Sequence, residues 1–217
     1  MTATLLVLWL GIAGDAAGAE SQVPDAKAED ATQAVIDDVE KQCLERTVYM
    51  IGRKKAVRLA ELVRRRKPKL VVECGSAIGY SGLWIARELN RYGGKLITIE
   101  ISPERAKEAQ ENYRRAGLAG VVTSKVGDAR QVVHQIEGPV GFVFLDCGYA
   151  NYLPCLQGLQ DKLSEKAVVV ADNVGMGAGG MSDYLEHVRN NYQSRTEWFD
   201  IDLPWGKRDA MEISVKK

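Results

Sequence analysis

The stretch Leu70-Val71-Val72, followed by Glu73-Cys74-Gly75-Ser76-Ala77-Ile78-Gly79-Tyr80-Ser81, constrains the fold more than any other part of the sequence. A short apolar run reads as a strand buried on both faces, and the small residues after it read as a tight turn. A glycine turn leaving such a strand makes a crevice of nucleotide size. Two later apolar runs end in acids, Phe144-Leu145-Asp146 and Val170-Ala171-Asp172-Asn173. In an open α/β sheet these ends face the same crevice and bring three hard oxygen side chains to it. The combination points to an adenosine-bearing cofactor beside a divalent cation.

The rest of the chain supports that architecture. Helical periodicity runs through 31–46 and 54–66, with Leu59, Leu62 and Val63 on one face. Apolar runs predict strands at 70–73, 95–100, 121–126, 141–146 and 167–172, separated by helices near 81–91, 103–116, 129–136 and 152–163. A helix at 181–191 precedes strand-like runs at 195–203 and 210–216, whose linker, 204–209, is short enough for an antiparallel hairpin. The expected fold is α/β: a doubly wound, Rossmann-like, mostly parallel seven-stranded sheet with a C-terminal antiparallel hairpin. It occupies 34–217, after an N-terminal extension, 1–33.

A length of 217 residues, 46% of them hydrophobic and 27% charged, suits one such domain. The formal net charge is zero, so no global field favours nucleic acid or an anionic membrane. The charge is uneven, however. Lys27 is the only basic residue in the acidic segment 15–40, and Arg64-Arg65-Arg66-Lys67-Pro68-Lys69 forms a basic cluster. That cluster reads as a solvated helix end or as a contact for RNA or an anionic substrate. Cys43, Cys74, Cys147 and Cys155 lack the paired spacing of a zinc site and read as free thiols or small core residues. His134 and His187 stand alone in helical segments and read as structural. The apolar run 4–13 is short for a membrane span, and Ala17-Gly18-Ala19 follows it like a cleavage site. Residues 1–19 therefore resemble a signal peptide without a basic n-region, implying export or membrane association. The competing reading is a helix packed on a partner subunit, which would suit a homodimer and a cytoplasmic location.

Each acid in the crevice has a chemical reading. Gly75 and Gly79 are spaced Gly-x-x-x-Gly, which argues against the pyrophosphate turn of a dinucleotide site. Gly75 would let the cofactor approach the backbone. Glu100, 21 residues after Gly79, can hold ribose hydroxyls, and Asp128 can accept a hydrogen bond from an adenine amino group. Asp146, Asp172 and Asn173 offer only oxygen, which suits Mg²⁺, Mn²⁺ or Ca²⁺. The alternative for Asp172-Asn173 is a turn or helix cap.

From about residue 34 onward the chain resembles the metal-dependent O-methyltransferases that use S-adenosylmethionine, the catechol O-methyltransferases above all. The resemblance is carried by Gly52-Arg53-Lys54-Lys55, by Glu73-Cys74-Gly75 through Gly79-Tyr80-Ser81, and by Leu96-Ile97-Thr98-Ile99-Glu100. Val143-Phe144-Leu145-Asp146, Tyr152-Leu153-Pro154 and Ala171-Asp172-Asn173-Val174 continue it in order. It implies that Glu73, Gly75, Tyr80 and Ser81 surround the methionine part of the cofactor, with Glu100 at the ribose and Asp128 at the adenine. Asp146, Asp172 and Asn173 would hold Mg²⁺, which would chelate an aromatic vicinal diol and acidify its hydroxyl. Two departures stand out. The family commonly has a lysine base three residues after the first metal-binding aspartate, where this chain has Tyr149. The loop after Asn173, Gly175-Met176-Gly177-Ala178-Gly179-Gly180, contains no proline. Tyr149, Met176 and Trp205 are the candidates for shaping the acceptor pocket, with Asp146 and Tyr149 as catalytic candidates. Two other readings remain: an RNA hydroxyl methyltransferase of the same fold, with nucleic acid the less favoured partner, and a non-catalytic cofactor-binding homologue.

Overall fold

The computed structural model describes residues 26–217, so the segment 1–19 expected to act as a signal lies outside the described residues. Two helices, α1 (Ala26–Glu45) and α2 (Arg53–Arg66), lead into an alternating series. The series runs β1 (Leu70–Cys74), α3 (Tyr80–Asn90), β2 (Lys95–Glu100), α4 (Pro103–Arg115), β3 (Val122–Val126), α5 (Ala129–Val132), β4 (Val140–Leu145), α6 (Tyr152–Leu159) and β5 (Leu163–Ala171). Short α7 (Val174–Gly177), then α8 (Ser182–Asn191), β6 (Tyr192–Leu203) and β7 (Gly206–Lys216), complete the chain. The strands form one seven-stranded sheet in the order β3-β2-β1-β4-β5-β7-β6, with β7 antiparallel to both of its neighbours. This is the doubly wound sheet with a terminal hairpin that the sequence pattern predicts.

The apolar runs are continuous because both faces of the central strands are covered. Val71, Phe142, Phe144, Val168 and Val170 join one core with side chains of α1 to α4. Their alternating neighbours Val72, Val143, Leu145, Val169 and Ala171 join a second core with α5, α6 and α8. Fully burying a Val, Leu or Phe side chain contributes roughly 1.5–3 kcal/mol, so these two layers are the main stabilising term. Helix α2 buries Leu59, Leu62 and Val63 and stops at Lys67, whose N–H caps the Val63 carbonyl and whose left-handed φ of 48° turns the chain out of the helix. Pro68 then prevents continuation. Arg64, Arg65 and Arg66 fill the last turn of α2, where cations suit the helix dipole. The basic cluster thus sits where the chain enters β1, at the end of the sheet opposite the strand C-termini.

Several boundaries differ from the periodicity, and helices α5 and α6 each end four residues short, at Val132 and Leu159. Helix α1 begins five residues earlier than 31–46 suggests, because long-range contacts hold a locally polar stretch: Thr32 Oγ1 donates to the Ala116 carbonyl at 3.1 Å, and Glu29 pairs with Arg91 at 2.5 Å. Strand β5 starts at Leu163 rather than 167. The terminal hairpin is longer, with β6 starting at Tyr192 and β7 at Gly206, so the turn shrinks to Pro204-Trp205. Charged residues can join this hairpin because β6 is an edge strand and β7 buries Asp209 against a lysine.

Candidate active site

Backbone bonds that continue the ladder one residue past the strands build the ligand-facing edge. Gly75 N–H donates to the Ile99 carbonyl at 2.8 Å, Gly127 to Glu100 at 2.9 Å, Asp146 to Cys74 at 2.8 Å and Asp172 to Leu145 at 3.0 Å. These bonds set the residues after β1, β3, β4 and β5 in one row, around the β1/β4 point where the strand order reverses. A cavity of about 620 Å³ opens there. It is lined by Gly75, Tyr80, Ser81, Glu100, Asp128, Asp146, Asp172 and Asn173, all singled out in the sequence. That volume lies in the range of small-molecule sites.

Glu73 and Gly79 do not line the cavity; they build its wall. Glu73 is fully buried and accepts hydrogen bonds from Ser81 Oγ at 2.6 Å and Thr98 Oγ1 at 2.5 Å. Burial raises its carboxyl to about 7 from an ordinary 4.5. It therefore orients Ser81, which does face the cavity. Gly79 caps α3 with a φ of +94°, and an added Cβ would press on the Tyr113 ring at 3.1 Å. Gly75 has a φ of +95°, and its Cβ would lie 2.2 Å from the Asp146 carbonyl oxygen. The glycine thus serves the close approach of two backbone segments, and it also lines the cavity. Glu100 is fixed by two backbone donors, Ala77 N–H at 2.8 Å and Ser102 N–H at 3.0 Å, leaving lone pairs toward the cavity. Asp128 caps α5 and pairs with Arg130 at 2.5 Å, which lowers its carboxyl. The Tyr80 hydroxyl donates to Glu40 of α1 at 2.6 Å; burial, then Glu40, pushes the phenol upward.

The opposite wall is acidic. Asn173, with a left-handed φ of 58°, donates its Nδ2 to Asp146 Oδ1 at 3.1 Å. Both oxygens of Asp172 accept from Lys55 Nζ, at 2.7 and 2.9 Å, and the same ammonium donates to Asp209 Oδ2 at 2.7 Å. Lys55, Asp172 and Asp209 are buried to 1% exposure or less. The other Asp209 oxygen takes the N–H groups of Gly175 and Met176, both at 3.0 Å, and so anchors the start of the glycine-rich loop. Burial, then the Asp172 charge, pushes the Asp146 carboxyl well above the carboxylate range. Burial likewise raises Asp172 to about 6 although Lys55 opposes it. Burial alone would lower Lys55, but Asp172 and Asp209 outweigh it and hold the ammonium charged. Asp172 and Asp209 share the one ammonium and Asp146 has only the Asn173 amide, so a divalent cation would relieve a surplus of negative charge. Among the described residues no group of three or more His, Cys, Asp or Glu side chains is arranged as a metal site. The residues that could hold a hard cation are two carboxylates, Asp146 and Asp172, with the amide of Asn173, all lining the cavity.

Tyr149, Met176 and Trp205 all line the same cavity, and Trp205 stacks edge-on against Tyr49 at 5.3 Å. The two departures from the family pattern prove to be one feature. A Cβ on Gly177 or Gly180 would fall 2.5 or 2.9 Å from the Tyr149 side chain, so the glycines make room for the tyrosine. Burial, then Asp209, Asp146 and Asp172, raises the Tyr149 phenol. Sequence reasoning assigned no role to Lys55, Asp209 or Glu40. For Lys55 a signal existed: it falls four residues before Leu59 on the apolar face of α2. Asp209 falls in the predicted linker, where a buried acid has no local signature.

A family model described as a methyltransferase domain matches residues 72–174. The catechol O-methyltransferase of Bos taurus is 32% identical over 194 residues, covering 85% of this chain and 70% of the bovine protein. The catechol O-methyltransferase of Sus scrofa is 32% identical over 175 residues, covering 77% of this chain and 92% of the porcine protein. The O-methyltransferase from Bacillus cereus, solved in complex with SAH, shares the fold with a TM-score of 0.72 at 21% identity, over 90% of this chain and 93% of that one. With the reversal-point cavity and the matching motif order, these findings place the chain in the class I, S-adenosylmethionine-dependent O-methyltransferase family that includes the catechol O-methyltransferases.

Proposed function

We propose that the enzyme methylates one hydroxyl of an aromatic vicinal diol, with Mg²⁺ or another divalent cation held by Asp146, Asp172 and Asn173. One observation carries the reading: those oxygen donors and the cofactor-side residues Gly75, Ser81 and Glu100 line a single cavity. Tyr80 and Ser81, in the first turn of α3, flank the methionine part, where the helix N-terminus favours a carboxylate. Glu100 holds the ribose, and Asp128 stands at the adenine edge. When bound, S-adenosylmethionine supplies an electrophilic sulfonium methyl, and the cation supplies a Lewis acid that acidifies the acceptor hydroxyls. Lys55 keeps Asp172 in one orientation, and Asp209 fixes the backbone beside Met176. Tyr149 stays protonated at neutral pH and acts as a wall, so the acceptor proton leaves to solvent. The Arg64–Lys69 cluster, at the far end of the sheet, lends an RNA acceptor no support.

Calorimetry tests the reading. With S-adenosylhomocysteine bound, catechol should bind in the presence of Mg²⁺ and lose most of its affinity after chelation. Equal catechol affinity with and without the cation would overturn the assignment of Asp146, Asp172 and Asn173.

A further inference from the structure

Three of the four cysteines meet beneath the cavity, although they come from separate elements. Cys74 ends β1, Cys147 follows β4 after Asp146, and Cys155 lies on α6. The sulfurs of Cys147 and Cys155 are 3.8 Å apart, and Cys74 packs in the same core cluster. Cys74 and Cys155 are buried, whereas Cys147 is partly exposed and lines the cavity. A small oxidant entering the cavity therefore meets Cys147 first, with a second thiol directly behind it.

We propose that Cys147 and Cys155 form a redox switch, closed by hydrogen peroxide and reopened by a dithiol, that controls methyl transfer from beneath the site. In the first step the Cys147 sulfur attacks a peroxide oxygen; the O–O bond breaks, one water leaves and a sulfenic acid forms. In the second the Cys155 sulfur attacks the Cys147 sulfur, the S–O bond breaks and the oxygen departs as a second water. Two thiols thus lose two electrons and two protons to one peroxide. A disulfide needs about 2.05 Å between sulfurs, so closure draws the pair together by well over 1 Å. The Cys147 backbone is built into the turn 146–151, its carbonyl accepting from Asn151 Nδ2 at 2.7 Å, so a pull on Cys147 acts on that turn. Part of the movement therefore passes to the turn that carries Asp146 and Tyr149. Misplacing a reacting geometry by about 1 Å can cost about 10²-fold in rate, which is the expected inhibition. The functional half of this proposal rests on the methyltransferase reading; the bond itself does not.

Peptide mapping separates the two. Cys147 and Cys155 fall on one tryptic peptide, 131–162, and Cys74 falls on another, 70–87. After mild peroxide treatment and alkylation of remaining thiols, peptide 131–162 should lack two hydrogens and carry no alkyl group, and a dithiol should reverse this. Saturating S-adenosylhomocysteine should slow the change by covering Cys147. Cys155→Ser should keep basal methyl transfer and escape reversible inhibition, while wild-type mapping keeps the test independent of that variant's folding. A cross-link from peptide 70–87 to 131–162, or over-oxidation of Cys147 without an internal bond, would overturn the pairing. Formation of the bond with methyl transfer unchanged, in an enzyme shown to be active, would overturn the switch.

Discussion

Glu73 allows a quantitative test of how the cofactor wall is built. Its carboxyl has no contact with solvent, accepts from Ser81 and Thr98, and is raised from 4.5 to about 7 chiefly by burial. The folded protein therefore holds a proton that the unfolded chain releases between those two values. Where the native state binds more protons than the unfolded state, stability falls as pH rises. At about 1.4 kcal/mol per tenfold change, the full contribution is about 3 kcal/mol, with about 2.5 kcal/mol of it lost between pH 5 and pH 8. Glu73→Gln removes the titration and keeps the shape. Urea denaturation of both proteins across this range should show the difference in unfolding free energy, wild type minus variant, falling by about that amount as pH rises. A difference that stays flat, or that grows with pH, would refute the claim that Glu73 is a buried, desolvated wall residue.

Lys55→Met should destabilise the fold by about 3–5 kcal/mol in urea denaturation, because two buried carboxylates lose their shared partner; a loss under about 1 kcal/mol would show that water or relaxation replaces the ammonium. Glu100→Ala should weaken S-adenosylhomocysteine binding by about 1–3 kcal/mol in calorimetry, with unchanged affinity contradicting the ribose assignment. Tyr149→Phe should keep most methyl transfer and the wild-type pH–rate profile. A fall of about 10³-fold in kcat with KM unchanged would identify Tyr149 as the base instead.

The sequence exposes the sheet and the ligand edge well, for a physical reason. Strands buried on both faces must be apolar throughout, and the acids ending them stand out against that background, so Glu100, Asp146 and Asp172 are visible without coordinates. The hairpin limits were less legible because an edge strand tolerates polar residues at alternate positions, as Gln193 and Arg195 show in β6. Roles inside the site were hidden where they depend on long-range partners. Glu73 reads as a ligand contact from the sequence, whereas its oxygens accept from Ser81 and Thr98, and the Asp146 carbonyl that lies against Gly75 leaves no mark in the local pattern. The triad of Lys55, Asp172 and Asp209 spans 154 positions of sequence, beyond the reach of any local pattern. Tyr149 likewise reads only as a departure from the family's lysine, and the space that Gly177 and Gly180 leave for its ring is not visible in the local pattern.

The central claim, that this family member uses its acidic wall to methylate aromatic diols with the help of a cation, is tested most directly by labelled-methyl transfer. Protein stripped by chelation would be given S-[methyl-³H]adenosylmethionine and catechol, first without metal and then after Mg²⁺ is restored. The account predicts labelled monomethyl ether only after Mg²⁺ returns, and none from Asp172→Ala under either condition. Full turnover in the stripped protein, or labelling of phenol as readily as of catechol, would contradict it.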